Sequence, residues 1–141
     1  MNVERVTEAD EALAEAIARL VPQLSPTRRP ADMAELVELV ATPGTHLIVA
    51  RDGDTALGML TLIVYRIPTG IRAWIHDVVV DESARGRGVG EALTREALRL
   101  AGDAGAISVE LTTRQEREAA NRLYRRLGFE RRETNVYVWR P

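Results

Sequence analysis

The sequence contains no cysteine, which excludes both a disulfide framework and a thiolate metal site. Its two histidines, His46 and His76, lie far apart and lack the spacing of zinc ligands. No apolar run approaches the ~18 residues that a membrane span requires, and the charged N-terminus MNVERVTEAD is unlike a signal peptide. Neither sign of charge dominates, since 19 basic and 21 acidic residues give a formal net charge of −2. We therefore expect a soluble, cytoplasmic protein with no metal, nucleic-acid or membrane partner.

The composition, 45% hydrophobic and 28% charged residues, is that of one globular domain over residues 1–141. VERV is predicted to form a short first strand, followed by a helix whose capping box is Thr7 and Asp10. The segment PQLSPTRRP should break that helix, and Pro30 suits the first position of a second one. The helical spacing that supports these two helices is carried by Leu13, Ala16, Ile17 and Leu20, and by Met33, Leu36, Val37 and Val40.

The pattern then changes to strands. Residues 46–51, 55–65 and 71–80 are predicted to form an antiparallel meander, with DGD as the first hairpin turn. A helix with Val89, Leu93, Ala97 and Leu100 on its buried face follows. Residues 106–111 are mostly apolar and are predicted to form a central strand. A last helix over 117–127 ends at Gly128, and NVYVWR at 135–140 closes the sheet. The inward residues expected on that helix are Ala119, Ala120, Leu123 and Leu127. The sequence therefore predicts an α+β domain around a mixed sheet.

The stretch SARGRGVGEAL at 83–93 lies between the third meander strand and a helix expected to open near residue 88. The first turn of a helix leaves backbone N–H groups without partners, and the helix dipole adds positive charge there. Glycines allow a phosphate to approach those groups closely, and Arg85 and Arg87 add charge. A solvated turn is the alternative, but the strand before it and the amphipathic helix after it favour a phosphate or pyrophosphate site.

Spacing restricts the kind of phosphate motif. The dinucleotide fingerprint G-x-G-x-x-G requires a third glycine where the chain has Glu91, and the G-K-[ST] of a Walker A loop is absent. These gaps and the antiparallel meander disfavour a nucleotide-binding domain. What is present is the pattern Arg85-x-x-Gly88-x-Gly90.

At this point the chain resembles the GNAT superfamily of N-acetyltransferases. VVVDESARGRGVGEAL is similar to the acyl-CoA motif of that family, and EAANRLYRRLGFE at 118–130 is similar to its second motif. The resemblance extends over nearly the whole chain. It implies a mixed, mostly antiparallel sheet of six to seven strands with a V-shaped splay, flanked by about four helices. It also implies an acetyl-CoA-dependent acyltransferase that acts by direct attack in a ternary complex.

The family's donor site can be carried over by position. The resemblance implies that backbone amides of the loop bind the pyrophosphate of CoA, and that the strand edge at Val78, Val79 and Val80 bonds the pantetheine arm. The N–H of Val78 then polarises the thioester carbonyl, and a bulge helps to open the cleft. The loop residues are Arg85, Gly86, Arg87, Gly88, Val89 and Gly90.

Tyr124 lies at the position of the family's usual general acid, ahead of Leu-Gly-Phe at 127–129. A phenol with a pKa near ~10 can protonate the thiolate that leaves. Many members have a CoA-contacting Asn seven residues earlier, where this chain has Arg117. Asn121, one helical turn before Tyr124, is the substitute contact.

His76 is the best general base in the sequence, since its ordinary pKa is near ~6.5 and its strand carries the thioester. Alternation places it on one face with Trp74, Val78 and Val80; Asp77, Glu110 or a water chain are alternative bases. The acceptor, a small-molecule or a protein amine, is left open, although Arg28 and Arg29 favour a carboxylate. A homodimer through the C-terminal strands is possible. The alternative function is a non-catalytic acyl-CoA-binding module, which has no need of Tyr124.

Overall fold

A computed structural model describes all residues, 1–141. The strands are β1 (Asn2–Arg5), β2 (Thr45–Asp52), β3 (Thr55–Ile67), β4 (Gly70–Val80) and β5 (Val109–Glu110). The helices are α1 (Glu11–Leu24), α2 (Met33–Ala41), α3 (Val89–Asp103) and α4 (Glu118–Arg126), with a short 3-10 helix at Glu82–Ala84. No helix is long and apolar enough to cross a bilayer.

The five strands form one sheet in the order β1-β2-β3-β4-β5. The first four are antiparallel neighbours, as the meander prediction requires, and β5 joins β4 in parallel. Helix α3 packs its fully buried Leu93 and Ala97 on one face, against Leu60 and Leu62 of β3. Helices α1 and α2 cover the other face, where Leu13 and Leu36 are buried. The sheet is thus covered on both faces, and the short strand β5 forms one of its edges.

Two helix starts differ from the prediction. The N-cap of α1 is Asp10, whose carboxylate accepts the N–H of Leu13 at 2.8 Å, so Thr7 is not the cap. The capping box belongs to α2, where Asp32 and Glu35 each accept the other's backbone N–H. Pro30 therefore precedes the helix instead of opening it. A carboxylate at the N-cap satisfies an orphan N–H directly, and this bond decides where each helix starts.

The PQLSPTRRP segment also ends helix α1 at a later residue than predicted. Helix α1 continues through Pro22 to Leu24 and ends at Ser25, whose N–H still donates to the carbonyl of Val21 at 3.0 Å. A proline in the last turn costs less than one in the middle, because few helical residues follow it. The helix is consequently long enough to bring its last turn to the end of β4.

The predicted six to seven strands are not found, because the segment NVYVWR forms no strand and no neighbour supplies the ladder bonds that a strand requires. Tyr137 and Trp139 are 88% and 84% exposed. For the same reason β5, predicted to be central, is the edge strand and is only two residues long. In α4 the buried residue is Tyr124, whereas Ala119 is exposed. Gly128 follows the helix with φ 96°, as a C′ glycine should.

Candidate active site

A cleft opens where β4 and β5 separate. The two strands pair at Ala73–Val109 and Trp74–Glu110, and β4 has no strand neighbour on this side beyond Trp74. The end of the pairing at Trp74 leaves the last residues of β4 open on this side, and the V-shaped splay stays a prediction. The cleft has a volume of about 1990 Å³ and is bordered by the end of β4, the loop before α3, residues 112–117, α4 and the last turn of α1.

A β-bulge lies in β4 beside the cleft. Thr61 pairs with His76 and Met59 with Val79, so Leu60 faces both Asp77 and Val78. Asp77 takes a φ of 52° and is the one non-glycine residue with positive φ. An extra residue in one strand bends it and increases its twist. The bulge thus turns the end of β4 away from β5 and widens the cleft.

The bulge also reverses which face the following side chains occupy. Val78 and Val80 pack in the cluster beneath α3, whereas Val79 packs in the cluster beneath α1 and α2. Trp74 and His76 precede the bulge, and their rings stack with centroids 6.1 Å apart. The predicted shared face of His76 with Val78 and Val80 is therefore wrong, because simple alternation fails when one strand gains a residue.

The backbone of β4 presents free polar groups to the cleft. The N–H of Asp81 donates to the carbonyl of Leu57 at 2.8 Å, while Gly58 and Val80 are opposite each other in the register. In an antiparallel ladder bonded and non-bonded pairs alternate, so the N–H and C=O of Val80 point away from β3. On that side lies the cleft, which Val78, Val79 and Val80 all line. An extended ligand can therefore bond to this edge as an added strand.

The glycine loop continues from that edge into α3. Gly86 and Gly88 have φ values of 80° and 78°, and Gly88 is the N-cap of the helix, which begins at Val89. The first bond of α3 is the one from the Ala92 N–H to the Gly88 carbonyl, so the N–H groups of residues 86–91 have no acceptor within the protein. A Cβ at Gly86 or Gly88 would meet nothing within 4 Å, so left-handed backbone, not crowding, requires glycine. This row of free donors at a helix N-terminus suits a phosphate group.

The two arginines of the loop have different surroundings. Arg85 lines the cleft and forms no ion pair. Arg87 is directed to the β2–β3 hairpin, where its guanidinium lies 3.4 Å from Asp52, and it does not line the cleft. The free positive charge beside the donors therefore comes from Arg85.

Tyr124 is buried on α4 and borders the cleft from the side opposite β4. Its ring meets Phe129 edge to face, with centroids 5.6 Å apart, and its hydroxyl has no hydrogen-bond partner in the protein. Burial raises the pKa of Tyr124 above its ordinary value, and the positive charge of Arg117 opposes that rise. The phenol is consequently a protonated donor at neutral pH, free to bond to a ligand.

Arg117 and Asn121 differ in what they face. Arg117 lines the cleft just before α4. The side-chain amide of Asn121 donates to the carbonyls of Arg114 and Arg117, at 3.0 and 2.8 Å, and does not line the cleft. Asn121 thus holds the loop that forms the cleft wall, which is a role that its position in the sequence did not indicate.

His76 and Tyr124 border the same small recess, of about 210 Å³, together with Asp77 and Thr112. The alternative base Glu110 is instead ion-paired with Arg132. Thr112 and Thr113 were missed by the sequence analysis, because nothing in their pattern distinguishes them from a loop. The structure brings the predicted acid, the predicted base and the free edge of β4 to one place.

A mixed sheet with an open strand edge, followed by a glycine loop at a helix N-terminus, is the arrangement that the sequence motifs predicted for an acyltransferase. Residues 11–129 match the Acetyltransferase (GNAT) family. The chain is 32% identical over 131 residues to the N-alpha-acetyltransferase RimI of Mycobacterium tuberculosis, covering 93% of this chain and 79% of that protein. The chain therefore belongs to the GNAT family, as its motifs indicated.

Solved structures agree in fold. A putative acetyltransferase from Agrobacterium tumefaciens superimposes with a TM-score of 0.84 at 24% identity, over 99% of this chain and 100% of that one. The aminoglycoside N-acetyltransferase AAC(6')-Iy in complex with CoA gives 0.81 at 19% identity, over 99% and 93% of the two chains. Both structures show the same fold. The GNAT family match and the N-alpha-acetyltransferase name of the RimI relative support an acyltransferase and do not favour the alternative of a non-catalytic module.

Proposed function

We propose that this protein transfers an acetyl group from acetyl-CoA to a primary amine by direct attack in a ternary complex. The observation that carries this proposal is the presence of two sets of free backbone groups along one cleft, at Val80 on the open edge of β4 and at residues 86–91 where α3 begins. Their geometry fits a donor that has a pantetheine arm and a pyrophosphate. The CoA complex of a protein with the same fold supports the choice of donor.

The donor supplies an activated thioester carbonyl, and the chain supplies its position. Backbone groups of Val78 and Val80 bond the arm, and the N–H of Val78 polarises the carbonyl. The N–H groups of residues 86–91 and the guanidinium of Arg85 bind the pyrophosphate. Val79 fixes the strand by burying its side chain on the opposite face.

The proton balance assigns a role to Tyr124. As the amine nitrogen bonds to the acyl carbon, the carbon–sulfur bond breaks and the sulfur leaves with the bonding electrons. The Tyr124 hydroxyl gives its proton to that sulfur, and the amine proton passes to a base. Burial raises the pKa of Tyr124, so the phenol is protonated throughout the neutral range.

His76 is the proposed base. Its exposed side chain lines the recess that Tyr124 also lines, and its ring stacks on Trp74. A neutral imidazole at this position can accept the amine proton and return it to solvent. Asp77 at the bulge is the alternative, since its carboxylate lines the same recess.

The charge of the cleft bears on the acceptor. Seven arginines and four carboxylates line it, and Arg28, Arg114 and Arg117 form no ion pair. Such a surface repels polycations and attracts carboxylates. We therefore favour a peptide or amino-acid α-amine, in line with the name of the RimI relative, over an aminoglycoside.

The test is release of free CoA thiol from acetyl-CoA with a panel of α-amino peptides, amino acids, polyamines and aminoglycosides. All 19 basic side chains are arginine, so the enzyme offers no lysine for self-acetylation and the background is low. We expect turnover with α-amines and stabilisation against thermal unfolding by acetyl-CoA. Stabilisation by ATP or NAD, without any by acetyl-CoA, would contradict the proposal.

A further inference from the structure

A hydrogen-bonded cluster joins the last turns of α1 to the end of β4, where the chain enters the glycine loop. Asp81 is its centre. One carboxylate oxygen accepts from Arg19 at 2.7 Å and from Ser83 at 2.9 Å, and the other accepts from Gln23 at 2.9 Å. The acyl-donor motif in the sequence contains Asp81, but nothing there connects it to a helix some sixty residues earlier.

Gln23 uses both ends of its side-chain amide. Its nitrogen donates to Asp81, and its oxygen accepts the backbone N–H of Glu82 at 2.9 Å. The half-buried Gln23 therefore bonds to the side chain of Asp81 and to the backbone of the next residue, Glu82. The pKa of Asp81 is held below its ordinary value, first by the bond from Gln23 and then by Ser83 and Arg19, against the effect of burial. The carboxylate is thus charged at neutral pH.

The hydrogen bonds of Gln23 lie between the open edge of β4 and the glycine loop. Val80, whose backbone faces the cleft, immediately precedes Asp81, and Gly86 begins the row of free N–H groups five residues later. Between them, the N–H of Asp81 bonds to Leu57 of β3 and its carbonyl accepts from Ala84, both at 2.8 Å. The bond to β3 fixes the turn at Asp81, and the side-chain amide of Gln23 fixes it at Glu82. Together they set the distance from the strand edge to the phosphate donors.

We infer that Gln23 is a positioning residue, which holds the phosphate-binding loop at the correct distance from the thioester-binding edge of β4. This inference rests on the proposed function. A donor that spans both sites gains affinity from the loop only while the two sites keep their spacing. Gln23 itself also lines the cleft beside Leu24, so α1 borders the cleft and supports the glycine loop at the same time.

The test is Gln23→Met, which keeps the length of the side chain and removes both hydrogen bonds. Without these two hydrogen bonds the loop is no longer held in its binding position. We expect CoA binding to weaken by about 5- to 30-fold, which corresponds to two bonds of ordinary strength. Calorimetry with CoA measures this. The kcat/KM for acetyl-CoA should fall by a similar factor through KM, whereas that for S-acetylpantetheine, which lacks the pyrophosphate, should stay within about twofold. The matched control is Gln115→Met, because Gln115 is exposed and forms no hydrogen bond.

The two donors separate positioning from general damage, since a poorly folded variant loses activity with both. Equal losses for acetyl-CoA and S-acetylpantetheine, or unchanged CoA affinity in Gln23→Met, would overturn the inference and leave the proposed function intact. Failure of the unaltered protein to bind CoA would overturn the proposed function, and this inference with it.

Discussion

Replacing Tyr124 by phenylalanine removes one oxygen atom from the centre of the proposed chemistry. The ring stays, and so does its edge-to-face contact with Phe129 at 5.6 Å. The lost hydroxyl has no hydrogen-bond partner in the protein, so no buried group is left unsatisfied. The substitution therefore tests the proton on this oxygen with little disturbance of the fold.

In Tyr124→Phe the expected loss of kcat is large, whereas the expected loss of stability is small. Loss of a positioned general acid lowers kcat by ~10²- to 10⁴-fold. The free energy of unfolding should change by less than ~1 kcal/mol, because no buried bond is broken. Truncation to alanine, in contrast, removes the ring and should cost ~3–5 kcal/mol of stability. Only the phenylalanine variant distinguishes catalysis from packing.

The assay is steady-state release of CoA thiol, with CoA affinity measured separately by calorimetry. We expect kcat to fall and the CoA affinity to stay within ~2-fold, since the acid acts on the leaving group and not on donor binding. Tyr137→Phe is the matched control, because Tyr137 is 88% exposed and lies outside the cleft. Unaltered turnover in Tyr124→Phe would refute the assignment of the acid.

The pH dependence follows from the same residue. Burial raises the pKa of Tyr124 above its ordinary value. The proton needed by the leaving group is therefore present at every pH below that raised value, and kcat should show no alkaline loss until the pH exceeds ~10. A loss of kcat between ~8 and 9 that disappears in Tyr124→Phe would contradict the expected direction of the shift.

Three further outcomes are expected. Arg85→Ala should weaken CoA binding ~10-fold or more in calorimetry. Arg87→Ala should change CoA binding by less than ~3-fold, because Arg87 pairs with Asp52 outside the cleft. Equal effects of the two variants would contradict the different surroundings of these side chains. Gly88→Ala should lower the free energy of unfolding by ~1–2 kcal/mol in urea titration, because the φ of Gly88 is 78°. Gly102→Ala, inside α3, should raise the free energy of unfolding by up to ~1 kcal/mol. Stabilisation by both substitutions would refute the left-handed backbone at Gly88. Asp32→Ala should cost ~1 kcal/mol by removing the capping box of α2, with exposed Asp54→Ala as a neutral control, and equal stability of the two variants would exclude the cap.

Local pattern was enough for much of the fold. The apolar alternation of 46–51, 55–65 and 71–80 predicted β2, β3 and β4, and helical spacing predicted α3 with Val89, Leu93 and Ala97 inward. These elements were predictable because each buries its own apolar face within a few residues of chain. The exact helix starts at Asp10 and Asp32 were not, since several neighbouring residues are competent caps and only the backbone path selects one.

The sequence by itself indicated the family and predicted a phosphate site before α3, because Arg85-x-x-Gly88-x-Gly90 is a property of consecutive residues. The tertiary structure alone decided the rest. A strand such as 135–140 requires a neighbour that no local pattern can supply, and the bulge at Asp77 places Val78 and Val80 on the face opposite His76. Gln23 reaches Asp81 across 58 residues of chain. Contacts between distant segments depend on how the sheet twists and how the helices dock on it, and that is fixed only when the whole core is packed.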